Sequence, residues 1–259
     1  MDTKKSSNIK SVVKAISIIE LLVTSQQPIS LSEMSRKLGM ARSTVHGLAS
    51  TLLDLGYLAQ NIETGHYELG VKLYEVGNAV SVYWQEKAVA KEYITRLIEK
   101  LKETVHMAKL VDGKVLYIDK QESTHSIRIV TETGVKLPAH CTGVGKVLLA
   151  YLSKSELEQI LKRNPLESST EKTISDKDAL IKELEKIRKN GFAYDDQEFM
   201  IGLKCVAVPI FNHNNKVVAA LSVSAPVSRM QGAYIEEIKQ ELIRTGQEIS
   251  TKLGCTKYE

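Results

Sequence analysis

Cysteine is scarce in this chain: Cys141, Cys205 and Cys255 are its only thiols, odd in number and far apart. Such a set speaks against a disulfide framework and against a paired-cysteine zinc site, and it fits a reducing compartment. No apolar run reaches the roughly 18 residues that a membrane-spanning helix needs. The opening Met-Asp-Thr-Lys-Lys-Ser-Ser-Asn has none of the apolar stretch of a signal peptide. A cytoplasmic protein with no membrane partner is therefore expected. Internal repeats and low-complexity tracts are missing as well. What is present is a chain of 259 residues, 43% hydrophobic and 25% charged, which is enough for one large or two modest domains with real cores. Its net charge of +4 permits nucleic acid as a partner without demanding it.

The densest local signal lies between Ile29 and Leu69. Ser30 can accept from the amide of Glu33, and the Glu33 carboxylate can reach back to the amide of Ser30, which is the pattern of a capping box. Ile29 and Met34 bracket it as a hydrophobic staple would. That helix runs through Leu38 and stops at Gly39. A second helix follows from Ala41, with Val45, Leu48, Leu52 and Leu55 on one face and Arg42, Ser43, Thr44, His46 and Gly47 at its start or outward. Gly56 ends it. Tyr57-Leu58-Ala59 and His66-Tyr67-Glu68-Leu69 read as short strands joined at Thr64-Gly65. Together these pieces make a winged helix-turn-helix, a shape built to enter a DNA groove.

An ordinary helical hairpin is the commoner meaning of two short helices around a glycine. Up to Leu55 the chain carries seven cations and four acids, only a mild excess for a phosphate-binding segment. The arrangement weighs more than the total, because no acid lies between Gly39 and Leu53.

An amphipathic helix from Ser11 to Val23 should precede the motif, with Val12, Ile16, Ile19 and Leu22 as its buried stripe. After the wing, Val71 to Lys87 is helical in pattern, and its face of Leu73, Val76, Val80 and Tyr83 or Trp84 suits a second copy of the chain. From Val89 onward the reading is a helix to Lys102, a hairpin turning at Asp112-Gly113, a strand at Ile127–Val130, and helices at Gly143–Tyr151, Lys154–Arg163 and Asp176–Asn190. Strands at Phe192–Asp195, Leu203–Phe211 and Val217–Ser224 follow, and a last helix runs from Gln231 to Leu253. The fold class is α+β: a winged helix-turn-helix over 8–70, a connector over 71–88 and a larger domain over 89–255.

If Asn212-His213-Asn214-Asn215 is a hairpin loop, Phe211 faces Lys216, Cys205 stands opposite Ser222, and Leu203 opposite Ser224. One face of the last strand then passes from apolar Val218 and Ala220 to Ser222 and Ser224, while Val217, Ala219, Leu221 and Val223 are core. Serines in a sheet often bond only to neighbouring backbone. Here a small carboxylate or carbonyl ligand would satisfy them. A second polar group comes from Pro138-Ala139-His140-Cys141-Thr142-Gly143-Val144-Gly145-Lys146, a loop of small residues opening onto a helix whose unpaired N–H groups attract anions. It is not a nucleotide loop, which needs glycine at His140 and a hydroxyl at Val147. Asp195 or Asp196 would complete the set, accepting from a ligand hydroxyl or holding a loop amide. Val144, Met107, Ile129, Met200 and Leu203 are the candidates for setting its size.

These stretches resemble the IclR-type transcriptional regulators along nearly the whole chain. The likeness rests on Ser11-Val12-Val13-Lys14-Ala15 with Ile18-Ile19-Glu20-Leu21-Leu22, on Arg42-Ser43-Thr44-Val45-His46 and Leu53-Asp54-Leu55-Gly56-Tyr57-Leu58, and on LPAHCTGVGKVLLAYL, GFAYDDQEFMIGLKCVAVPIF and VVAALSVSAP. The resemblance implies a winged helix that reads double-stranded operator DNA and a GAF-like domain that binds an organic, aromatic or sugar acid. It places effector contacts at Gly143, Val144, Asp195, Cys205, Ser222 and Ser224. It also implies homodimers or tetramers, no cofactor, and a repressor as the expected sense of control. Members commonly carry arginine where this chain has Gly47. Base contacts are therefore expected from Ser43, Thr44 and His46, with Arg42 on phosphate and Lys37 in the same DNA-binding set.

Two other chemistries are weighed beside this. Cys205 with Asp195 and His140 would be a cysteine-nucleophile site, but a mid-strand cysteine is poorly placed for thiolate activation. His140 beside Cys141 would begin a metal site, but no second pair at ligand spacing accompanies it. Neither a catalytic role nor a bound metal is expected.

Overall fold

The computed structural model describes residues 8–25, 27–82, 85–126 and 134–258. The chain divides between residues 84 and 85 into two units. The first holds α1 (Lys10–Ser25), α2 (Leu31–Leu38), α3 (Arg42–Asp54), β1 (Leu58–Gln60), β2 (Tyr67–Leu69) and α4 (Lys72–Val82). Ser30 caps α2, its hydroxyl accepting from the Glu33 amide at 3.3 Å, and Ile29 and Met34 are both buried as a staple requires. The expected capping box is only half built. Instead of returning to Ser30, the Glu33 carboxylate meets Lys37 at 3.0 Å one turn along, a competing ion pair at helical spacing. Gly39, at φ 60°, takes the left-handed conformation that turns α2 into α3. β1 and β2 pair antiparallel, and Ile29 joins them through two backbone bonds to Tyr67 of 2.9 and 2.8 Å.

Two buried stripes differ from those expected. In α1, Ile18 and Leu22 face the core, whereas Val12 and Ile16 are 55% and 48% exposed. Apolar side chains occur around nearly the whole of that helix, so periodicity alone could not choose the face; packing against α2, α3 and β2 does. In α3 the core residues are Val45, Ala49 and Leu52, while Leu55, at the helix end, is exposed.

The second unit contains α5 (Gln85–Leu101), β3 (Thr104–Val111), β4 (Lys114–Gln121), β5 (Lys136–Pro138), α6 (Gly143–Ala150), α7 (Lys154–Arg163), α8 (Lys177–Asn190), β6 (Ala193–Asp196), β7 (Leu203–Phe211), β8 (Val217–Pro226) and α9 (Gly232–Lys252). Its six strands form one antiparallel sheet in the order β5-β4-β3-β8-β7-β6. Helices α5 and α9 cover one face. Helix α6 lies on the other, with α8 against it. Asp112 and Gly113 both have positive φ, 54° and 79°, as a tight two-residue hairpin turn requires. The strand expected at 127–130 falls outside the described residues. The short edge strand β5 was not expected, since it is three residues long and ends in proline.

The β7–β8 register is shifted by two residues from the expected one. Cys205 pairs with Ser224, Ala207 with Ser222, and Leu203 with Pro226. One residue of the shift comes from the turn, where the Asn212 amide donates to Lys216 O at 2.9 Å, and the other from an irregularity between Ile210 and Phe211. Because side chains alternate with period two, an even shift returns each residue to its expected face. Among the described residues, no helix is long and apolar enough to cross a membrane.

Candidate ligand pocket and nucleic-acid interface

The N-cap of helix α3 is Ala41, which offers no side-chain acceptor to the first amides. Arg42, Ser43, His46 and Gly47 are exposed and Thr44 half-exposed, so the outer face at the start of this helix is polar or cationic with free amide donors, as phosphate contacts require. Lys37 also lies on the surface, though its ammonium is held by Glu33.

In the second unit, the sheet face beneath α6 is graded. Ala108, Ala193, Ala207 and Ala220 lie under the body of the helix, and these small side chains let it sit close; a Cβ on Gly143 would stand 3.3 Å from that of Ala207. One step along the same strands stand His106, Asp195, Cys205 and Ser222. Asp195 and Cys205 are partners in register, as are His106 and Ser222. Helix α6 points its N-terminus at this polar end. Its N-cap, Thr142, gives no side-chain bond to the helix amides, because its hydroxyl donates to Pro138 O at 3.1 Å. The space left there is about 10 Å³, room for about one water molecule. Phe199 and Leu203 close it on the loop side and Tyr117 and Leu137 on the other.

Burial governs the electrostatics. It pushes the Asp195 carboxyl up to about 7, although the amides of Glu198 (2.8 Å) and Phe199 (3.4 Å) donate to Oδ1 and oppose the rise. Burial likewise pulls His106 down to about 4, helped by Lys120, and leaves it a neutral ring with Nδ1 3.4 Å from the Ser224 hydroxyl. The Cys205 thiol is driven well above its ordinary value by burial and then by Asp195. Behind the pocket, the ammonium of Lys146, 1% exposed, binds Glu198 and lies 4.0 Å from Glu183; the second Glu198 oxygen is buried without a partner.

Since folding raises the Asp195 pKa, this carboxyl favours the folded state below about pH 4, and that contribution is lost as pH rises through 7. Asp195→Asn keeps the Oδ1 acceptor and carries no charge. The variant is therefore expected to exceed the wild type in stability at pH 8 by a few kcal/mol, ~4 at most, and to lose that advantage by pH 4. Urea melts at the two pH values measure it.

Residues 11–61 match the IclR helix-turn-helix domain, and residues 85–251 match the bacterial transcriptional regulator IclR C-terminal domain. The chain belongs to the IclR family. It is 35% identical over 246 residues to the HTH-type transcriptional regulator XynR of Escherichia coli, covering 95% of this chain and 98% of that one. It is 30% identical over 251 residues to the transcriptional repressor IclR of the same organism, covering 96% and 92%. The crystal structure of the Thermotoga maritima IclR superposes with a TM-score of 0.79 at 34% identity, covering 95% of this chain and all of that one. An IclR-family regulator is a DNA-binding protein of transcription control, not an enzyme.

All six residues expected to contact a ligand, Gly143, Val144, Asp195, Cys205, Ser222 and Ser224, line the one pocket at the head of α6. Asp195 rather than Asp196 belongs to it; Asp196 faces outward to Lys172 and Lys204 at 3.5 and 3.9 Å. Of the size-setting candidates, Val144 and Leu203 line it, Met107 lies buried outside its lining, Met200 is exposed, and Ile129 is outside the described residues. His140 is not beside Cys205, since its Nε2 donates to Glu167 O at 3.0 Å. The nucleophile set therefore lacks its base. Among the described residues, no group of three His, Cys, Asp or Glu is placed to hold a metal ion. Sequence reasoning missed His106 and Tyr117. The alternation of His106 with Ala108 was a usable signal, but only once β3 is known to lie beside β8.

Proposed function

We propose that this IclR-family regulator is a repressor whose hold on operator DNA is set by a small organic acid (a 2-oxo, sugar or aromatic acid) bound at the head of α6. The observation that carries this reading is the convergence of the amides of Gly143 and Val144 with two hydroxyls, a thiol and a carboxyl on one pocket. In this reading Ser43, Thr44 and His46 touch base edges and Arg42 and Lys37 the phosphates, and no cofactor or metal takes part. The functional divisions are a DNA-reading head over 8–70, a connector over 71–88 and an effector domain over 89–255. Operation as a homodimer or tetramer is supported by the exposed apolar edge of Ile9, Val12, Val13 and Ile16 at the start of the chain's first helix. Effector binding shifts the population between two arrangements of the paired chains, with a coupling of about 1 to 3 kcal/mol.

Gel shifts of the protein on DNA upstream of its own gene, titrated with the three classes of acid, test this. Release of the DNA by one class fits the proposal. Specific binding that no acid alters overturns the effector assignment, and no specific binding at any salt overturns the DNA assignment. Arg42→Ala is expected to weaken binding on all sequences alike and to lower the salt slope by about one.

A further inference from the structure

Asp195 is an unusual member of a site for acids. Its carboxyl is 1% exposed, and Oδ1 already accepts from the amides of Glu198 and Phe199. The groups around it come from every element of the pocket. Lys146 acts on it from α6 and Glu198 from the loop; Cys205 on β7, Tyr117 on β4 and Cys141 before α6 feel its charge in turn. His106 on β3 and Ser222 and Ser224 on β8 complete the lining. The cation acting on Asp195 is Lys146, and that ammonium is shared with Glu198 and Glu183; Glu183 is also met by Lys186 at 3.5 Å on the outer side, so Lys146 is left between Asp195 and Glu198, one positive charge for two buried carboxyls. His106 adds no second charge, and Lys120, which bears on His106, is paired with Glu122. An anionic ligand would be a third carboxylate, in a space with room for about one water. Neighbouring carboxylates in such a site do not all ionise; one keeps its proton.

On the effector reading above, the geometry points to a pocket that takes its acid as a singly charged anion together with one proton, Asp195 being the neutral carboxyl that donates to the ligand from its second oxygen. The proton enters from solvent as the anion binds and leaves with it, so charge balances within the pocket. The pocket supplies one such proton, which selects monocarboxylates over ligands that bring two charges to the same spot. The raised pKa of Asp195 agrees with this, because it holds the carboxyl close to uptake at neutral pH.

Calorimetric titration of the full chain with pyruvate, gluconate and benzoate, at pH 8 in phosphate and again in Tris, reads the proton directly from the difference in heats. For the acid that binds, uptake approaching one proton per site is expected, with Kd rising up to about tenfold per pH unit between pH 7 and 9. In Asp195→Asn both the uptake and the slope should vanish. Binding with equal heats in the two buffers and a Kd independent of pH overturns the proton inference and leaves the effector reading in place. No binding by any of the three acids at millimolar concentration overturns the effector reading, and this inference with it.

Discussion

Lys146→Met is expected to destabilise the second unit by about 3 to 5 kcal/mol, the usual effect of removing one partner from a buried ion pair. The methionine fills the space of the lysine stem, so the loss is electrostatic. Glu198, 8% exposed and with one oxygen already unpartnered, then has no ammonium, and Asp195 loses the charge that offsets its own, while Glu183 keeps Lys186 at 3.5 Å. Burial already raises the Glu198 pKa against the pull of Lys146, so in the variant it takes up a proton more readily, and the deficit shrinks toward acid pH. Thermal melts should show a fall of about 2 to 4 °C per kcal/mol. Combining Lys146→Met with Glu198→Leu should recover most of the loss, because a well-packed apolar pair often matches a buried ionic one. A single variant within about 1 kcal/mol of wild type would show that the pair does not hold the loop.

Gly145→Ala is expected to cost about 3 kcal/mol or more, at the upper end of overpacking. Its Cβ would stand 2.2 Å from Ala139 O and 2.5 Å from Ala139 Cα, and backbone atoms cannot swing aside as a side-chain tip would. Helix α6, which begins at Gly143, would have to move off the loop that carries Ala139 and Thr142, which distorts the pocket as well as the fold. Gly47→Ala is the control. It is the same substitution inside another helix, with nothing within 4 Å of the added carbon, and it is expected to stabilise the first unit by about 0.5 to 1 kcal/mol. Differential scanning calorimetry on both variants checks the opposite signs; equal effects would mean that close approach is not what requires Gly145.

Local chemistry was legible in the sequence, and choices made by distant partners were not. Helix α7 and strand β7 begin and end at the expected residues, since Ser153 with Glu156 and the apolar run from Leu203 mark them without reference to anything remote. The pocket was legible too, because the serines, Cys205 and Asp195 keep their faces whatever the exact register. The buried side of α1 failed for the opposite reason, since Val12, Val13 and Ile16 are as apolar as Ile18 and Leu22, and only contact with α2, α3 and β2 separates them. His106 and Tyr117 were invisible because their strands reach the pocket through pairings with residues more than a hundred positions away or through the hairpin turn. The four-residue loop assumed for β7–β8 could not reveal the irregularity between Ile210 and Phe211.

A cavity with room for about one water acts as a size gauge. No organic acid enters it unless a wall gives way, and the walls are unequal. Beneath it, the sheet and α6 meet through glycine and alanine at contact distance and cannot yield without unpacking. The loop from Gln197 to Gly202 is different: it carries Phe199 against the cavity, exposes Met200 and Ile201, and is tied by individual hydrogen bonds, from Thr170 and Thr173 to the carbonyls of Gln197 and Glu198, from the Glu198 and Phe199 amides to Asp195, and from Lys146 to Glu198. Each added carbon of a ligand therefore becomes displacement of that loop, and part of the binding free energy is spent on moving it. Among singly charged acids, affinity is therefore expected to fall, and the displacement of the loop to grow, with the bulk of the acid.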